Sequence, residues 1–313
     1  MRRRDVSRSE GKAPPRAACG ALASWFGVLR LWSLTASTIP VTVGAALAAH
    51  DGRFSWRILA LTLLSGWLLQ TATNLLNTYG DFRSGVDTAG ALPTAPQLVT
   101  GALEPRAVFA AGIAALFLGA GAGLLVAALS DWRLLLFAAA GVAGAGFYTT
   151  GLRYKYAGLG LPAVFLLMGV LMAMASYFAQ TRSVTWASFA AALPIACLVG
   201  AILHGNDLRD VETDRRAGIK TSSLILGSRQ AEPLFVALHV VPYLLLVASV
   251  ATRTLPSWAL LALLALPLSF ATLKTCVGGF RAADAARIGK LEGMSAGTHF
   301  IFGTLLTIGL SLA

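Results

Sequence analysis

The chain has 313 residues, of which 56% are hydrophobic and only 12% charged, with a mean hydropathy of +0.70 and a net charge of +11. Soluble globular domains carry roughly a quarter of their residues charged, so this composition excludes one and points to an all-α integral membrane protein. The positive balance does not suggest nucleic acid, because no basic patch accompanies a recognisable binding module; it fits the basic edge of a membrane bundle beside anionic lipid.

Residues 1–23, with Arg2, Arg3, Arg4, Arg8, Lys12 and Arg16 around Pro14 and Pro15, form a disordered basic cytoplasmic tail in this reading. A cleaved signal peptide is the alternative, but the apolar run that follows is long and lacks a clear small-residue cleavage site. The membrane domain is then 24–313. Apolar stretches near the roughly 20 residues needed to cross a bilayer recur at 28–49, 56–79, 105–129, 132–148, 159–179, 186–206, 233–251, 256–274 and 295–312, which makes about nine transmembrane helices. The frequent glycines, such as Gly112, Gly119 and Gly121 or Gly141, Gly144 and Gly146, suit close packing of membrane helices. Cys19, Cys197 and Cys276 are scattered and imply neither a disulfide framework nor a zinc site.

With nine spans, 20 of the 25 Lys and Arg fall on the side of the amino terminus and five on the other. The positive-inside rule then makes the amino terminus cytoplasmic and the carboxyl terminus external, in what we expect to be a bacterial inner membrane. The longer connections, including residues 80–101, share the basic side, where loops held by a rigid scaffold carry function.

Two oxygen-rich clusters end spans on that side. In AILHGNDLRDVETDRRAGIKT, from Ala201, the residues Asn206, Asp210 and Asp214 stand at i, i+4 and i+8, so their oxygens project from one face of one helix and converge on a common point. In TNLLNTYGDFRSGVDTAG, from Thr73, Asn77 and Asp81 are again i, i+4, and Asp87 follows across a glycine turn. Acids at such spacing repel, and each costs about 2.5–3.5 kcal/mol if carried into the membrane. Oxygen ligands without nearby His or Cys suit a hard cation, Mg2+ before Ca2+, with a phosphate-bearing substrate. The alternative is a solvated helix end whose acids pair with Arg209, Arg215 and Arg216. An ion-coupled secondary transporter is the other functional class, although its acids would sit near the bilayer midplane between inverted repeats.

The two motifs, Asn77-x3-Asp81-x5-Asp87 and Asn206-x3-Asp210-x3-Asp214, resemble the aspartate-rich pair of the UbiA superfamily of intramembrane aromatic prenyltransferases. LRLWSLTASTIPVTVG, NLLNTYGDFRSGVDT, YTTGLRYKYAGLG and the 201–221 stretch are similar to its menaquinone-forming, 1,4-dihydroxy-2-naphthoate branch, and the resemblance extends over about 30–299. It implies a nine-helix UbiA-type bundle with a central cavity and cytoplasmic cap. It also implies Mg2+-dependent transfer of a polyprenyl chain from a polyprenyl diphosphate, its tail in the membrane lipid, to an aromatic acceptor, 1,4-dihydroxy-2-naphthoate in menaquinone biosynthesis, the alternative within the class being another aromatic or lipid acceptor.

Carried over by position, Asn77, Asp81, Asp87, Asn206, Asp210 and Asp214 would be metal and diphosphate ligands. Tyr148 and Lys155 would assist the diphosphate, and Asp207 would add a ligand or face water. Tyr148, Phe165, Tyr177 and Phe178 are candidates to face an allylic cation, packing being the plainer role for each. Two features depart from the branch: Leu161 and Pro162 stand where an acidic residue follows Gly-Leu-Gly, and the uncharged run TAPQLVTG from Thr94 replaces an Arg. His204 and His299 lack metal-ligand spacing and suit packing or a helix–helix hydrogen bond.

Overall fold

The structure is a computed structural model that describes residues 18–88 and 95–313. Most of the tail predicted for 1–23, and part of the loop expected to cap the bundle, lie outside the described residues. The first described residues already form a helix, α1 (Ala18–Leu29), so the last part of that expected tail is ordered helix. After a turn at Arg30, α2 (Thr35–His50) and α3 (Trp56–Arg83) make an antiparallel pair, followed by α4 (Pro105–Leu129) and α5 (Leu134–Phe147). The bundle continues with α6 (Gly160–Thr181), α7 (Trp186–Arg209), the short α8 (Val211–Arg216) and α9 (Ser222–Leu226), then α10 (Ser228–Ala251), α11 (Ser257–Ala282) and α12 (Leu291–Ser311).

Among the described residues, eight helical stretches are long and apolar enough to span a membrane, the first being Leu22–His50, which joins α1 and α2. The ninth expected span, 132–148, is the shorter apolar helix α5. Its 14 residues rise about 21 Å at 1.5 Å each, less than a hydrocarbon core of about 30 Å.

The outward faces carry Phe117, Leu136, Leu244 and Phe270, all exposed, as lipid requires. Inside, α2 and α7 are the most enclosed spans. Ile39, Leu47, Ile195, Leu198, Tyr243, Leu246, Phe302 and Leu306 join them to α10 and α12 in one core. A helix makes its backbone hydrogen bonds within itself, which is what lets it cross lipid, and neighbouring helices cover the interruptions at Pro40 and Pro194.

The polypeptide changes direction at the end of the bundle where α3, α5, α7 and α10–α12 begin or finish, and the fold sets its polar residues there. Within α6 the stretch Phe165–Leu171 is wound as a π-helix, a form frequent at functional sites. Gly169 lets it lie against Ala196 of α7, since a Cβ there would stand 2.2 Å from the Ala196 Cα. The uncharged run is absorbed by packing: Ala95 and Leu98 are buried against Val28, Leu75 and Val108.

Candidate active site

The first polar wall is the end of α3. Asn77 and Asp81, one turn apart, are buried, and both bind Lys155 from the α5–α6 connection. Lys155 Nζ donates to Asn77 Oδ1 at 3.0 Å and to the Asp81 oxygens at 2.9 and 3.2 Å. The Tyr156 hydroxyl adds a 2.7 Å bond to Asp81 Oδ1. Past the helix end, Gly85 adopts φ +74°, and the backbone N–H groups of Val86 and Asp87 return to the Asp81 carbonyl at 3.0 and 3.2 Å. That turn folds Asp87 back over the helix terminus. The connection is pressed onto α3 at Gly80, where a Cβ would stand 2.8 Å from Thr149; the Thr149 hydroxyl donates to the Leu76 carbonyl.

The second wall corrects the expectation of one continuous helix. Helix α7 stops at Arg209, Asp210 is the break with φ −95° and ψ 7°, and Asp214 belongs to α8. The Thr213 hydroxyl donates to the freed Asp210 carbonyl, and the Asp214 amide donates to that same carbonyl, so Asp214 still turns back toward α7. The walls are tied together where the Lys220 N–H donates to the Tyr156 carbonyl at 3.1 Å. Asp207 is neither water-facing nor unoccupied: it is only 4% exposed, and its Oδ2 accepts from the Ser222 hydroxyl (2.7 Å) and amide (3.3 Å).

Both walls line one cleft of about 1520 Å³, mouth included, which brings together Asn77, Asp81, Asp87, Asn206, Asp210 and Asp214 with Asp207 and Lys155. Beneath it, sharing Arg30, Asn77, Lys155 and Asn206, is a second space of about 1170 Å³ walled by Leu69, Leu167, Met168, Met172, Ile202 and other apolar groups. A polar mouth over an apolar shaft suits an amphiphile with an anionic head.

The charges in the cleft are short of cations. Burial, then the charge on Asp81, pushes the Asp87 carboxyl up to about 6. Burial pushes Asp214 up to about 7, with Lys155 opposing and Asp207 and Asp210 adding to the rise. Burial pulls the Lys155 ammonium down, but Asp81 and Tyr156 outweigh it and hold it above the usual lysine value. These are carboxylates that a further cation would relieve. Their all-oxygen donor set fits a hard divalent ion. Among the described residues no three His, Cys, Asp or Glu side chains already stand as a ligand group. Instead, Lys155 occupies the angle between Asn77 and Asp81, and Arg209 closes on Asp210 through Nε at 2.7 Å and Nη2 at 2.6 Å.

Two site residues were not picked out by the sequence. Arg30 sits in the left-handed region at φ 50°, ψ 53°, which non-glycine residues rarely adopt. It lines both spaces, donates to the Thr78 hydroxyl, and its buried Nε has no hydrogen-bond partner among the described residues. Glu292, on the first turn of α12, binds Arg209 and lines the apolar space. Arg30 was legible only as one basic residue among many, and Glu292 lay just outside the span expected at 295–312.

Of the four aromatic candidates only Tyr148 lines the lower space, and its ring lies 5.9 Å from Lys155 Nζ. Phe165 packs beside Cys197, Ala201 and Leu238 together with Leu161. Tyr177 donates to Asp51, and Phe178 joins Val126 and Leu134 at the far end of the bundle. His204 bonds Ser222 and the Ala231 carbonyl across helices, and His299 is fully buried with neither ring nitrogen partnered among the described residues.

Comparison with known proteins agrees with this geometry. Residues 37–288 match the UbiA prenyltransferase family. The chain is 30% identical over 309 residues to the 1,4-dihydroxy-2-naphthoate octaprenyltransferase of Bacillus subtilis (strain 168), covering 98% of each chain. It is 32% identical to the human UbiA prenyltransferase domain-containing protein 1, covering 97% of this chain and 88% of that protein. Among solved structures it is similar to an apo UbiA homolog from Aeropyrum pernix K1, with a TM-score of 0.64 and 18% identity over 89% of this chain and 98% of that one. A UbiA homolog from Archaeoglobus fulgidus, solved bound to DMAPP and Mg2+, gives a TM-score of 0.55 and 17% identity over 91% of this chain and 99% of that one. These low-identity likenesses concern the fold, whereas the family match covers most of the sequence: the chain is an integral membrane prenyltransferase and belongs to the UbiA prenyltransferase family.

Proposed function

We propose that the protein transfers a polyprenyl chain from a polyprenyl diphosphate to an aromatic acceptor, 1,4-dihydroxy-2-naphthoate, in menaquinone biosynthesis. The observation that carries this reading is the single cleft in which both oxygen-rich walls and Lys155 open onto an apolar shaft. The naphthoate acceptor is supported by the 30% identity to the Bacillus subtilis enzyme along nearly the whole chain.

In this reading Asn77, Asp81, Asp87, Asn206, Asp210 and Asp214 hold Mg2+ and the donor head. The bound metal would supply positive charge to the departing diphosphate. Lys155, already aimed into the cleft, exchanges its bonds to Asn77 and Asp81 for phosphate oxygens and donates to them as charge develops; Arg30, bonded to Thr78, donates to them from the turn before α2. Asp207 acts through Ser222, as a positioning residue that ties the α7 end to α9. The apolar walls take the isoprenoid tail and exclude water, and the Tyr148 ring faces the allylic carbon as positive charge grows on it. An electron-rich ring carbon then forms the new C–C bond as the allylic C–O bond to the diphosphate breaks, and that carbon loses its proton, or its carboxylate as CO2, to restore the aromatic ring.

The site lies at the basic end of the bundle, which by the positive-inside rule supports a cytoplasmic site with the carboxyl terminus outside. The test is product formation by the purified chain in detergent from geranylgeranyl diphosphate and 1,4-dihydroxy-2-naphthoate. Prenylated naphthalene product is expected. Prenyl transfer to 4-hydroxybenzoate with none to the naphthoate would reject the acceptor and retain the transferase.

A further inference from the structure

The polar groups at the rim of the apolar shaft divide by charge. Arg30 and Lys155 are cationic, Asn77 and Asn206 are neutral and shared with the cleft, and Glu292 is the one carboxylate among the described lining residues. The other acids of the site line the cleft and not the shaft, and Glu292 lines the shaft and not the cleft. Its position is fixed by backbone contact. Helix α12 begins directly on Gly205 of α7, where a Cβ would stand 2.8 Å from the Glu292 amide nitrogen.

Arg209 bridges two carboxylates, two-pronged to Asp210 and through Nη1 to Glu292 Oε2, so its pairing engages only one of the two Glu292 oxygens. The bonds that Glu292 makes, from Arg209 and from Asn206 Nδ2 at 3.5 Å, both end on Oε2. No hydrogen bond to Oε1 occurs among the described residues. A carboxylate oxygen is only an acceptor, so Oε1, which Arg209 and Asn206 leave unengaged, can take a further hydrogen bond only from a donor.

We infer that Glu292 is the acceptor-recognition residue: its Oε1 takes a hydrogen bond from a ring hydroxyl of the aromatic acceptor, while the cationic rim serves the donor head. This rests on the transferase reading of the shaft. The class of ligand follows from the donor requirement, a hydroxylated aromatic ring rather than its ether. Leu161, turned into the Cys197–Leu238 packing, contributes no acid to this space, so Glu292 supplies the carboxylate from a different helix.

The test is calorimetric binding to the full chain in detergent with Mg2+ and an unreactive donor, geranylgeranyl thiodiphosphate. The titrants are 1,4-dihydroxy-2-naphthoate and its dimethyl ether, which cannot donate. The wild type should prefer the hydroxylated ring by about tenfold or more. Glu292→Gln, whose amide can donate to an ether oxygen, should lose most of that preference while binding the donor analogue within about twofold of wild type. Equal wild-type affinity for the two rings, or an unchanged preference in Glu292→Gln, overturns the inference. So does a parallel loss of donor binding, which would mark Glu292 as a structural tie. A wild-type chain that binds the donor analogue but no hydroxylated ring overturns the inference and leaves prenyl transfer standing; one that binds no donor analogue fails the transferase reading, which the ring titrations read separately.

Discussion

Lys155 stands where two walls of opposite origin meet, and its three bonds to Asn77 and Asp81 keep a buried acid satisfied before any ligand arrives. Removing one member of such a pair leaves the other charge buried. Lys155→Ala should therefore lower turnover by about a hundredfold, and the protein should still extract and run as a folded monodisperse species on gel filtration; unchanged turnover would remove Lys155 from the chemistry. Arg30 is held in a backbone conformation that costs about 1–3 kcal/mol, with Nε unpartnered. Arg30→Ala should raise the KM for the prenyl diphosphate about tenfold with little effect on that for the acceptor, as steady-state kinetics in both substrates would show. That the cleft gathers Asn77, Asp81, Asn206 and Asp210 was legible because amides and acids interrupt apolar runs at helical spacing, whereas Asp87 arrives through the Gly85 turn and Asp214 from the helix beyond the break. Glu292 and the ties of Asp207 were not, since each depends on which helix lands beside it: Ser222 on the far side of a loop, and Gly205 under the start of α12.

At the scale of the element, the site depends on two close approaches. Gly80 lies under Thr149, and Gly205 lies under the Glu292 backbone. A methyl group at either position must displace main chain, and overpacking of this kind typically costs about 1–3 kcal/mol. Gly205→Ala should lower the melting temperature in detergent and depress turnover together, whereas Gly121→Ala on α4, with nothing within 4 Å, should change neither. Equal effects of the two substitutions would contradict the packing account. Long spans announce themselves by some 20 apolar residues in a row, so the eight long helical stretches were readable, four of them to within four residues at both ends, while Leu22–His50, Ser228–Ala251, Ser257–Ala282 and Ala285–Ser311 run five to ten residues past the expected bounds at one end. The helix α5 was also readable at 132–148, but the π-wound stretch of α6 and the break at Asp210 were not. The first is set by a tertiary contact, Gly169 on Ala196, and the second by a local side-chain bond, the Thr213 hydroxyl on the Asp210 carbonyl; hydrophobic periodicity carries no signal for either.

For the molecule as a whole, the bundle gathers its basic residues and its oxygen-rich helix ends at one edge and leaves an apolar shaft leading inward. If that edge faces the cytoplasm, reporter fusions should read the amino terminus as cytoplasmic and the carboxyl terminus as external; the reverse result would put donor binding on the outer surface. The central claim is that two separate helix ends make a single Mg2+–diphosphate site. The direct measurement is binding of radiolabelled geranylgeranyl diphosphate to the purified chain with Mg2+ and with EDTA, for wild type, Asp81→Asn and Asp210→Asn. The account predicts binding that requires Mg2+ and is lost by about a hundredfold in each variant, with both variants still folded. Chelator-resistant binding, or wild-type affinity in either variant, would contradict it.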